Sequence, residues 1–293
     1  MAGVTERREF GGGSSNLESE SYWGQHQLLY FTAPSRSGST LLGTMLNSGK
    51  GILIINEPLN SYKIGQGDIL DGVFKLILAD YQSGFARQRL GNWGEEVTDT
   101  FPSDATSWQE MPVTYVADAV VGIKKSFPSL GNRDYHLSFI EQWGSFVEWF
   151  NRERNGKILT IVRNPIFTLL SWKTTFEALR AETIEQAEAW NRIARAILET
   201  RESLCLVRYE DVIARPREEI KRITGYLGRD FAQTREFPSI REDFNSPSSY
   251  RQRRGLSGEV EADLEIIAEV CGPIASYFGY DLESDKRSLM ESA

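Results

Sequence analysis

The segment from residue 28 to residue 46 constrains the fold more than any other part of this sequence, because it reads as a strand, a short loop and a helix. Its apolar first part ends at Ala33-Pro34, and its helix-forming last part begins at Leu41. The loop between them is basic and rich in hydroxyl groups, and it contains one glycine. Such a loop directs backbone N–H groups and a helix N-terminus at one point. The segment predicts a site for a phosphate-like anion, although a serine-rich helix cap that binds no ligand has a similar sequence.

The residues that we expect around this anion belong to the loop and to the first turn of the helix. They are Arg36, Ser37, Gly38, Ser39, Thr40 and Leu41. The loop differs from the ATP-binding Walker sequence G-x-x-x-x-G-K-[ST], because Ser39 stands where that sequence has its lysine. A kinase of the P-loop type is therefore disfavoured.

Composition and charge narrow the possible functions. The length of 293 residues suits one α/β domain, which we expect over residues 25–283, with tails at 1–24 and 284–293. A formal charge of −8 argues against a nucleic-acid-binding protein. No run approaches the ~18 apolar residues that span a bilayer, and no secretion signal is recognisable, so we expect a cytoplasmic protein without a membrane partner. Two histidines and two cysteines without metal-ligand spacing predict no metal site.

Polar residues follow the apolar runs that we interpret as further strands. In chain order they are Glu57, Lys124 with Lys125, Arg163 and Tyr209. The alternation of strands and helices predicts an α/β fold, a single P-loop-like three-layer domain with a central parallel sheet flanked by helices. Because ligands bind outside the carboxyl ends of parallel strands, we expect these residues to lie near the anion loop.

Residues 60–112 read as irregular apart from one weak helix over Ile69–Tyr81. Trp93, Phe101 and Trp108 lie in this region. Their rings can line a pocket for a substrate, or they can simply stabilise a long loop.

Several of the polar residues have more than one interpretation. Glu57 can take part in a catalysed reaction, or it can have a purely structural role in which it caps a helix or pairs with a lysine. Arg163 and Ser171, about two helical turns apart, can converge on one anion. A late segment that contains Arg253, Arg254 and Gly255 is either a solvated turn or a flap that closes over an anionic ligand.

Four segments, in this order, resemble motifs of the sulfotransferases that use 3′-phosphoadenosine 5′-phosphosulfate (PAPS). They are residues 34–42, residues 161–165 with Ser171, residues 207–212, and residues 254–258. The resemblance implies that the first segment holds the 5′-phosphosulfate and that Arg163, Ser171 and the last segment hold the 3′-phosphate. It also implies that Tyr209 lies near the adenine.

The resemblance further implies catalytic roles. Arg36 and Lys124 would stabilise the leaving phosphate and the sulfuryl oxygens, although Lys125 competes with Lys124 for this role. The histidine base of the steroid- and phenol-sulfating branch is absent, because Ser126 stands in its place. Glu57 is similar in placement to the glutamate base of tyrosylprotein sulfotransferases and of several bacterial relatives.

We therefore expect a PAPS-dependent sulfotransferase of a soluble, bacterial-type branch, with 3′-phosphoadenosine 5′-phosphate (PAP) as its product and no metal. The expected acceptor is a hydroxyl or amine of a small molecule, preferably a natural product. A carbohydrate sulfotransferase and a non-catalytic module that binds PAP or PAPS remain the alternatives. The sequence does not indicate the oligomeric state.

Overall fold

The fold comes from a computed structural model, which describes residues 25–58, 63–89, 108–127, 134–175, 182–234, 236–238 and 258–291. The strands in these residues are β1 (Gln27–Pro34), β2 (Ile52–Asn56), β3 (Phe85–Arg89), β4 (Trp108–Pro112), β5 (Val120–Phe127), β6 (Lys157–Val162) and β7 (Cys205–Arg208). The α-helices are α1 (Ser39–Asn47), α2 (Gly67–Gln82), α3 (Asp134–Glu153), α4 (Pro165–Thr175), α5 (Thr183–Glu199), α6 (Tyr209–Ala214), α7 (Pro216–Tyr226), α8 (Gly258–Ala275) and α9 (Leu282–Glu291).

The central sheet has five parallel strands in the order β2-β5-β1-β6-β7. Every residue of β2 and β5 is buried, because apolar clusters cover both faces of the sheet. Strands covered on both faces are near-continuous apolar runs, which is the pattern that the sequence shows. The α/β architecture predicted from the sequence, with a central parallel sheet flanked by helices, is confirmed.

Strand β1 lies in the middle of the sheet and contributes side chains to both apolar clusters. On one face, the Tyr30 ring packs edge-on against Phe146 of α3, with 4.8 Å between the ring centroids. On the other face, Phe31 belongs to the same cluster as Leu42 and Met45 of α1. Burial of such a side chain stabilises the fold by about 1.5–3 kcal/mol. This packing fixes the end of β1 and the loop that follows it.

Residues 60–112 are more regular than the sequence predicted. Helix α2 covers the predicted weak helix, and β3 pairs with β4 in a separate antiparallel sheet. The prediction of irregular structure was therefore wrong for these two strands. Their sequences, FARQR and WQEMP, do not alternate apolar and polar residues, which is the pattern by which a strand is recognised.

The packing also continues beyond residue 283, where the sequence analysis placed the end of the domain. Helix α9 runs through most of the expected C-terminal tail, and its Leu289 is fully buried in the main apolar cluster. The expected N-terminal tail lies outside the described residues. Within the described ranges, no helix is long and apolar enough to cross a membrane.

Candidate active site

The loop after β1 forms a cradle of backbone and side-chain groups at the N-terminus of α1. Gly38 is the N-cap residue of α1 and has φ 82°, and Arg36 has φ 66°. These left-handed conformations turn the chain sharply between Pro34 and the helix. Trp172 of α4 anchors the loop by donating a 2.7 Å hydrogen bond from Nε1 to the Ser35 carbonyl oxygen. The cradle, residues 35–41, is therefore anchored to α4.

Ser37 gives the cradle a buried hydroxyl group that the fold itself does not use. The residue is fully buried, and within the described ranges its Oγ has no hydrogen-bond partner. A buried hydroxyl without a partner costs about 1–3 kcal/mol. This group fits a cradle that receives an anion, because the oxygen of an anionic ligand would accept its proton in a hydrogen bond.

Arg36 connects the cradle to the other predicted anion-binding residues. Its Nε donates a 3.0 Å hydrogen bond to Ser171 Oγ on α4. Arg163, just after β6, donates from Nη1 to the Arg36 carbonyl oxygen at 3.3 Å. The structure thus brings Arg36, Ser171 and Arg163 into one polar cluster, as the sequence predicted for residues at the carboxyl ends of β1 and β6.

Tyr209, the first residue of α6, lies between this cluster and the cradle. Its ring centroid is 4.7 Å from the Arg163 Cζ, which is a cation–π distance. A Cβ on Gly38 would approach Tyr209 Cδ2 to 2.2 Å. The aromatic ring therefore packs directly on the cradle backbone, which only a glycine permits at position 38.

A set of polar contacts that the sequence analysis did not find supports the residue after Arg163. Asn164 donates from Nδ2 to Asp285 of α9 at 2.6 Å, and its backbone N–H donates to Glu210 at 3.1 Å. The Tyr280 hydroxyl donates to the second oxygen of Glu210 at 2.7 Å. Asn164 followed by proline at the start of a helix was the available signal, because asparagine caps helices. Its partner on α9 had no signal in the sequence.

Glu57 and the two lysines of β5 form an ion-pair cluster on the other side of the cradle. Lys124 Nζ lies 3.2 Å from Glu57 Oε1, and Lys125 Nζ lies 3.2 Å from Glu57 Oε2. Lys124 Nζ also lies 3.4 Å from the hydroxyl oxygen of Thr40 in the cradle. Glu57 itself has φ 48°, and its N–H donates to the Lys124 carbonyl oxygen at 2.7 Å. Lys124 thus joins the carboxylate to the cradle.

The charges of this cluster shift the pKa values of its members. Burial opposes ionisation of Glu57, but the adjacent charges and hydrogen bonds of Lys124 and Lys125 prevail and lower its pKa to about 2. Burial lowers the pKa of Lys124, against the opposing effect of Glu57, and the positive charges of Lys125 and Arg36 lower it further. Glu57 is therefore a carboxylate at neutral pH, and it is a weak base while both lysines contact it.

Ser126, which stands at the position of the absent histidine, has a structural contact. Its Oγ lies 3.0 Å from the Oγ of Ser39, the first residue of α1, and both residues are buried. This contact joins the end of β5 to the cradle. Glu57 is therefore the candidate proton acceptor on this side of the cradle.

Other predicted site residues lie outside the described ranges. Arg253, Arg254 and Gly255 are among them, as are Trp93 and Phe101. In the described part of the chain, no group of histidine, cysteine and acidic residues could hold a metal ion.

Comparison with known proteins then identifies the family. A sequence model described as "Sulfotransferase family" matches residues 31–233 of this chain, a range that includes the cradle, the Glu57 cluster, Arg163 and Tyr209. The chain belongs to the sulfotransferase family. Membership indicates a transferase, and this assignment rests on the sequence match. No curated protein matches this sulfotransferase sequence.

Two solved structures are similar to this sulfotransferase at low identity. The sulfotransferase domain from the Synechococcus PCC 7002 olefin synthase is 17% identical, with a TM-score of 0.47 over 87% of this chain and 95% of that chain. Sulfotransferase STF1 from Mycobacterium tuberculosis H37Rv is 10% identical, with a TM-score of 0.38 over 86% of this chain and 79% of that chain.

Proposed function

We propose that this sulfotransferase moves the sulfuryl group from PAPS to a hydroxyl or amine of a small-molecule acceptor. The observation that carries the proposal is the position of Lys124, whose Nζ lies within 3.4 Å of both the Glu57 carboxylate and the cradle hydroxyl of Thr40. The Lys124 cation thus contacts both the Glu57 carboxylate, which would accept the proton, and the cradle, which would hold the sulfuryl group. A protein that only bound the nucleotide would need no such link.

Two anion-binding positions support a donor that carries two phosphate groups. The cradle, with the free hydroxyl of Ser37, suits the 5′-phosphosulfate at the N-terminus of α1. Arg163 and Ser171 would bind the 3′-phosphate, with Arg36 between the two positions because it contacts both residues. The ring of Tyr209, next to Arg163, would pack near the adenine. Arg253, Arg254 and Gly255 are proposed to close on the 3′-phosphate.

The transfer step assigns a separate task to each residue. The acceptor oxygen or nitrogen forms a bond to sulfur while the bond from sulfur to the 5′-phosphate oxygen breaks, and that oxygen keeps the electron pair. Arg36 and Lys124 would stabilise the charge that develops on the leaving phosphate and on the sulfuryl oxygens. Glu57 would accept the proton that the acceptor loses. When Lys124 shifts its contact toward the sulfuryl oxygens, Glu57 loses one of its two cations and becomes a stronger base.

The acceptor is proposed on charge and family grounds. A formal charge of −8 disfavours a polyanionic glycan, because the acceptor would meet an acidic protein surface. A small natural product with a hydroxyl or amine group therefore ranks ahead of a carbohydrate. We also propose a cytoplasmic location.

Calorimetry with nucleotides tests the donor. PAP should bind more tightly than ADP or adenosine 5′-phosphate. We expect its affinity to exceed that of adenosine 5′-phosphate by about 10–100-fold, because the charge-assisted hydrogen bonds to the 3′-phosphate contribute about 1.5–3 kcal/mol. Tighter binding of ADP than of PAP would refute the assignment of PAPS as donor.

A screen with sulfur-labelled PAPS tests the transfer itself. The panel should contain phenols, aliphatic alcohols, amines and neutral and acidic sugars, with label counted in the organic product. We expect transfer to at least one small hydroxyl or amine compound. Tight PAP binding without transfer to any member would instead support a non-catalytic binding module, and transfer to sugars alone would support a carbohydrate sulfotransferase.

A further inference from the structure

The two lysines reach Glu57 from opposite faces of the central sheet. In the parallel register, Lys124 is level with Asn56 of β2 and with Phe31 of β1, and Phe31 belongs to the face that α1 covers. Lys125 is level with Thr32 of β1, and neighbouring residues of a strand point to opposite faces. Glu57 lies just past the end of β2, so its carboxylate is accessible from both sides of the sheet edge.

The contacts of the two lysines differ in one important respect. Lys124 Nζ contacts Thr40 of the cradle as well as Glu57. Within the described part of the chain, the side chain of Lys125 has Glu57 as its only hydrogen-bonding or ion-pair partner, at 3.2 Å. The Lys125 side chain is only 8% exposed. A lysine is seldom buried to this degree unless its charge has a definite role or partner.

We propose that Lys125 is a positioning residue for sulfuryl transfer, which holds the Glu57 carboxylate and keeps it ionised while Lys124 serves the transferred group. This inference rests on the proposed function and divides the lysine pair, whose members the sequence could not distinguish. Lys124 is the cation that faces the cradle. Lys125 faces away from the cradle and stays on the base throughout the reaction.

The need for a second cation follows from the surroundings of Glu57. Burial alone would raise its pKa. Among the described residues, the charged groups that face it are Lys124 and Lys125 of β5, and the titratable hydroxyl of Tyr30 on β1 lies nearby. The Tyr30 hydroxyl stays neutral, because burial and the Glu57 charge raise its pKa well above the usual value. Lys125 is therefore the remaining positive charge on Glu57 once Lys124 contacts the donor. Without it, the partly buried carboxylate would be protonated more easily and its orientation would be lost.

A direct titration of Glu57 tests this role without donor or acceptor. The carboxyl resonances of glutamate-labelled protein are followed by carbon NMR against pH, and the Glu57 resonance is identified by its loss in Glu57→Gln. In the wild type, the midpoint of Glu57 should lie near pH 2, well below the value of about 4.3 for a free glutamate. In Lys125→Met its midpoint should move to higher pH. Lys125→Arg should restore much of the wild-type behaviour.

Three further variants keep the test decisive. Lys157→Met is the matched control. Lys157 begins β6 at the opposite end of the sheet, where it lies over the Tyr226 ring, so the change should leave the Glu57 midpoint unchanged. Lys125→Gln removes the charge but keeps a hydrogen-bond donor, and it replaces the methionine variant if that one does not fold. Lys124→Met should also raise the midpoint. A Glu57 midpoint in folded Lys125→Met or Lys125→Gln equal to that of the wild type would overturn the proposal.

Nucleotide binding separates this inference from the proposed function. Lys125→Met should keep PAP affinity within about threefold of the wild type, because among the described residues the polar contact of Lys125 is with Glu57 and not with the cradle. Lys124→Met, in contrast, should weaken PAPS binding or turnover. With an acceptor from the screen, kcat of Lys125→Met should fall by about tenfold or more, with little change in KM for PAPS. The upper limit of this loss is the rate factor of about 10²–10⁴ that a general base contributes. If no acceptor reacts, the proposed function fails, and the titration still decides whether Lys125 controls Glu57.

Discussion

The ring of Tyr209 packs so closely on Gly38 that a Cβ at residue 38 would lie 2.2 Å from Tyr209 Cδ2. Gly38 also has φ 82°, a conformation that residues with a Cβ adopt at a cost. Two independent constraints therefore require glycine at the N-cap of α1. Both act on the backbone that forms the candidate anion cradle.

Gly38→Ala should damage the cradle and weaken PAP binding. The left-handed backbone conformation costs about 1–3 kcal/mol for a residue with a side chain, and the Tyr209 ring must also move. We expect a lower free energy of unfolding in urea and at least a tenfold higher Kd for PAP by calorimetry. The control is Gly72→Ala in α2, where nothing lies within 4 Å of an added Cβ. That change should be neutral or stabilising by about 0.5–1 kcal/mol.

Ser37→Ala should separate binding from stability. Its hydroxyl is buried without a partner among the described residues, so its removal should not lower the melting temperature and can raise it. The Kd for PAP should rise by about 10-fold, because a hydrogen bond to a charged group contributes about 1.5–3 kcal/mol. Thr160→Val on β6 removes another buried hydroxyl without a described partner and should leave the Kd unchanged. Equal PAP affinity of Ser37→Ala and wild type would exclude Ser37 from the anion site.

Glu57→Gln should abolish turnover and spare nucleotide binding. The variant removes the proposed proton acceptor, so kcat should fall by about 10²–10⁴. PAP affinity should be unchanged or slightly higher, because a negative charge near an anion site is lost. Calorimetry and initial rates with labelled PAPS measure the two quantities. Full activity of the variant would remove Glu57 from the role of base.

The Glu57 cluster should also produce a defined dependence of stability on pH. A carboxyl with a pKa of about 2 in the folded protein and 4.5 as its ordinary value contributes stability above pH 4.5, which is lost as the pH falls toward 2. The difference in unfolding free energy between wild type and Glu57→Gln should therefore shrink between about pH 5 and pH 2, by up to about 3 kcal/mol. A difference independent of pH would show that Glu57 is not held ionised.

Arg163→Ala should discriminate between nucleotides with and without a 3′-phosphate. The guanidinium contacts the Arg36 carbonyl oxygen and the Tyr209 ring, and we place the 3′-phosphate beside it. The Kd for PAP should rise by about 10–100-fold, while that for adenosine 5′-phosphate should change much less. Arg192→Ala, which removes an exposed arginine of α5 paired with Glu188, is the control. Equal losses for both nucleotides would place Arg163 away from the 3′-phosphate.

The sequence predicted most of the sheet because its strands are apolar runs followed by polar residues. The same pattern located Glu57, Lys124 and Arg163, since residues at the carboxyl ends of parallel strands share one edge. Strands β3 and β4 were missed because their sequences, FARQR and WQEMP, are not apolar runs of this kind. Residue propensities do not show which distant segments of the chain pair with each other as strands.

The detailed contacts of the site could not be predicted in the same way. Strand alternation places Lys124 and Lys125 on opposite faces, and a sequence argument would then assign only one of them to Glu57. The positive φ of Glu57 brings its carboxylate to the sheet edge, where both lysines reach it. Similarly, nothing near Asn164 in the sequence points to Asp285, because their contact depends on how α9 packs.

The hydrogen bond between Asn164 and Asp285 joins residues that are 121 positions apart in the chain. A ribosome that adds about 5–20 residues per second needs roughly 6–24 s to make the intervening segment. During that time the nascent protein already contains the cradle, Glu57 and both lysines, but the residue beside Arg163 has no partner on α9. The proposed site for the second phosphate is therefore expected to mature last, so a growing chain would acquire the proposed reactive groups before it can hold the proposed donor firmly.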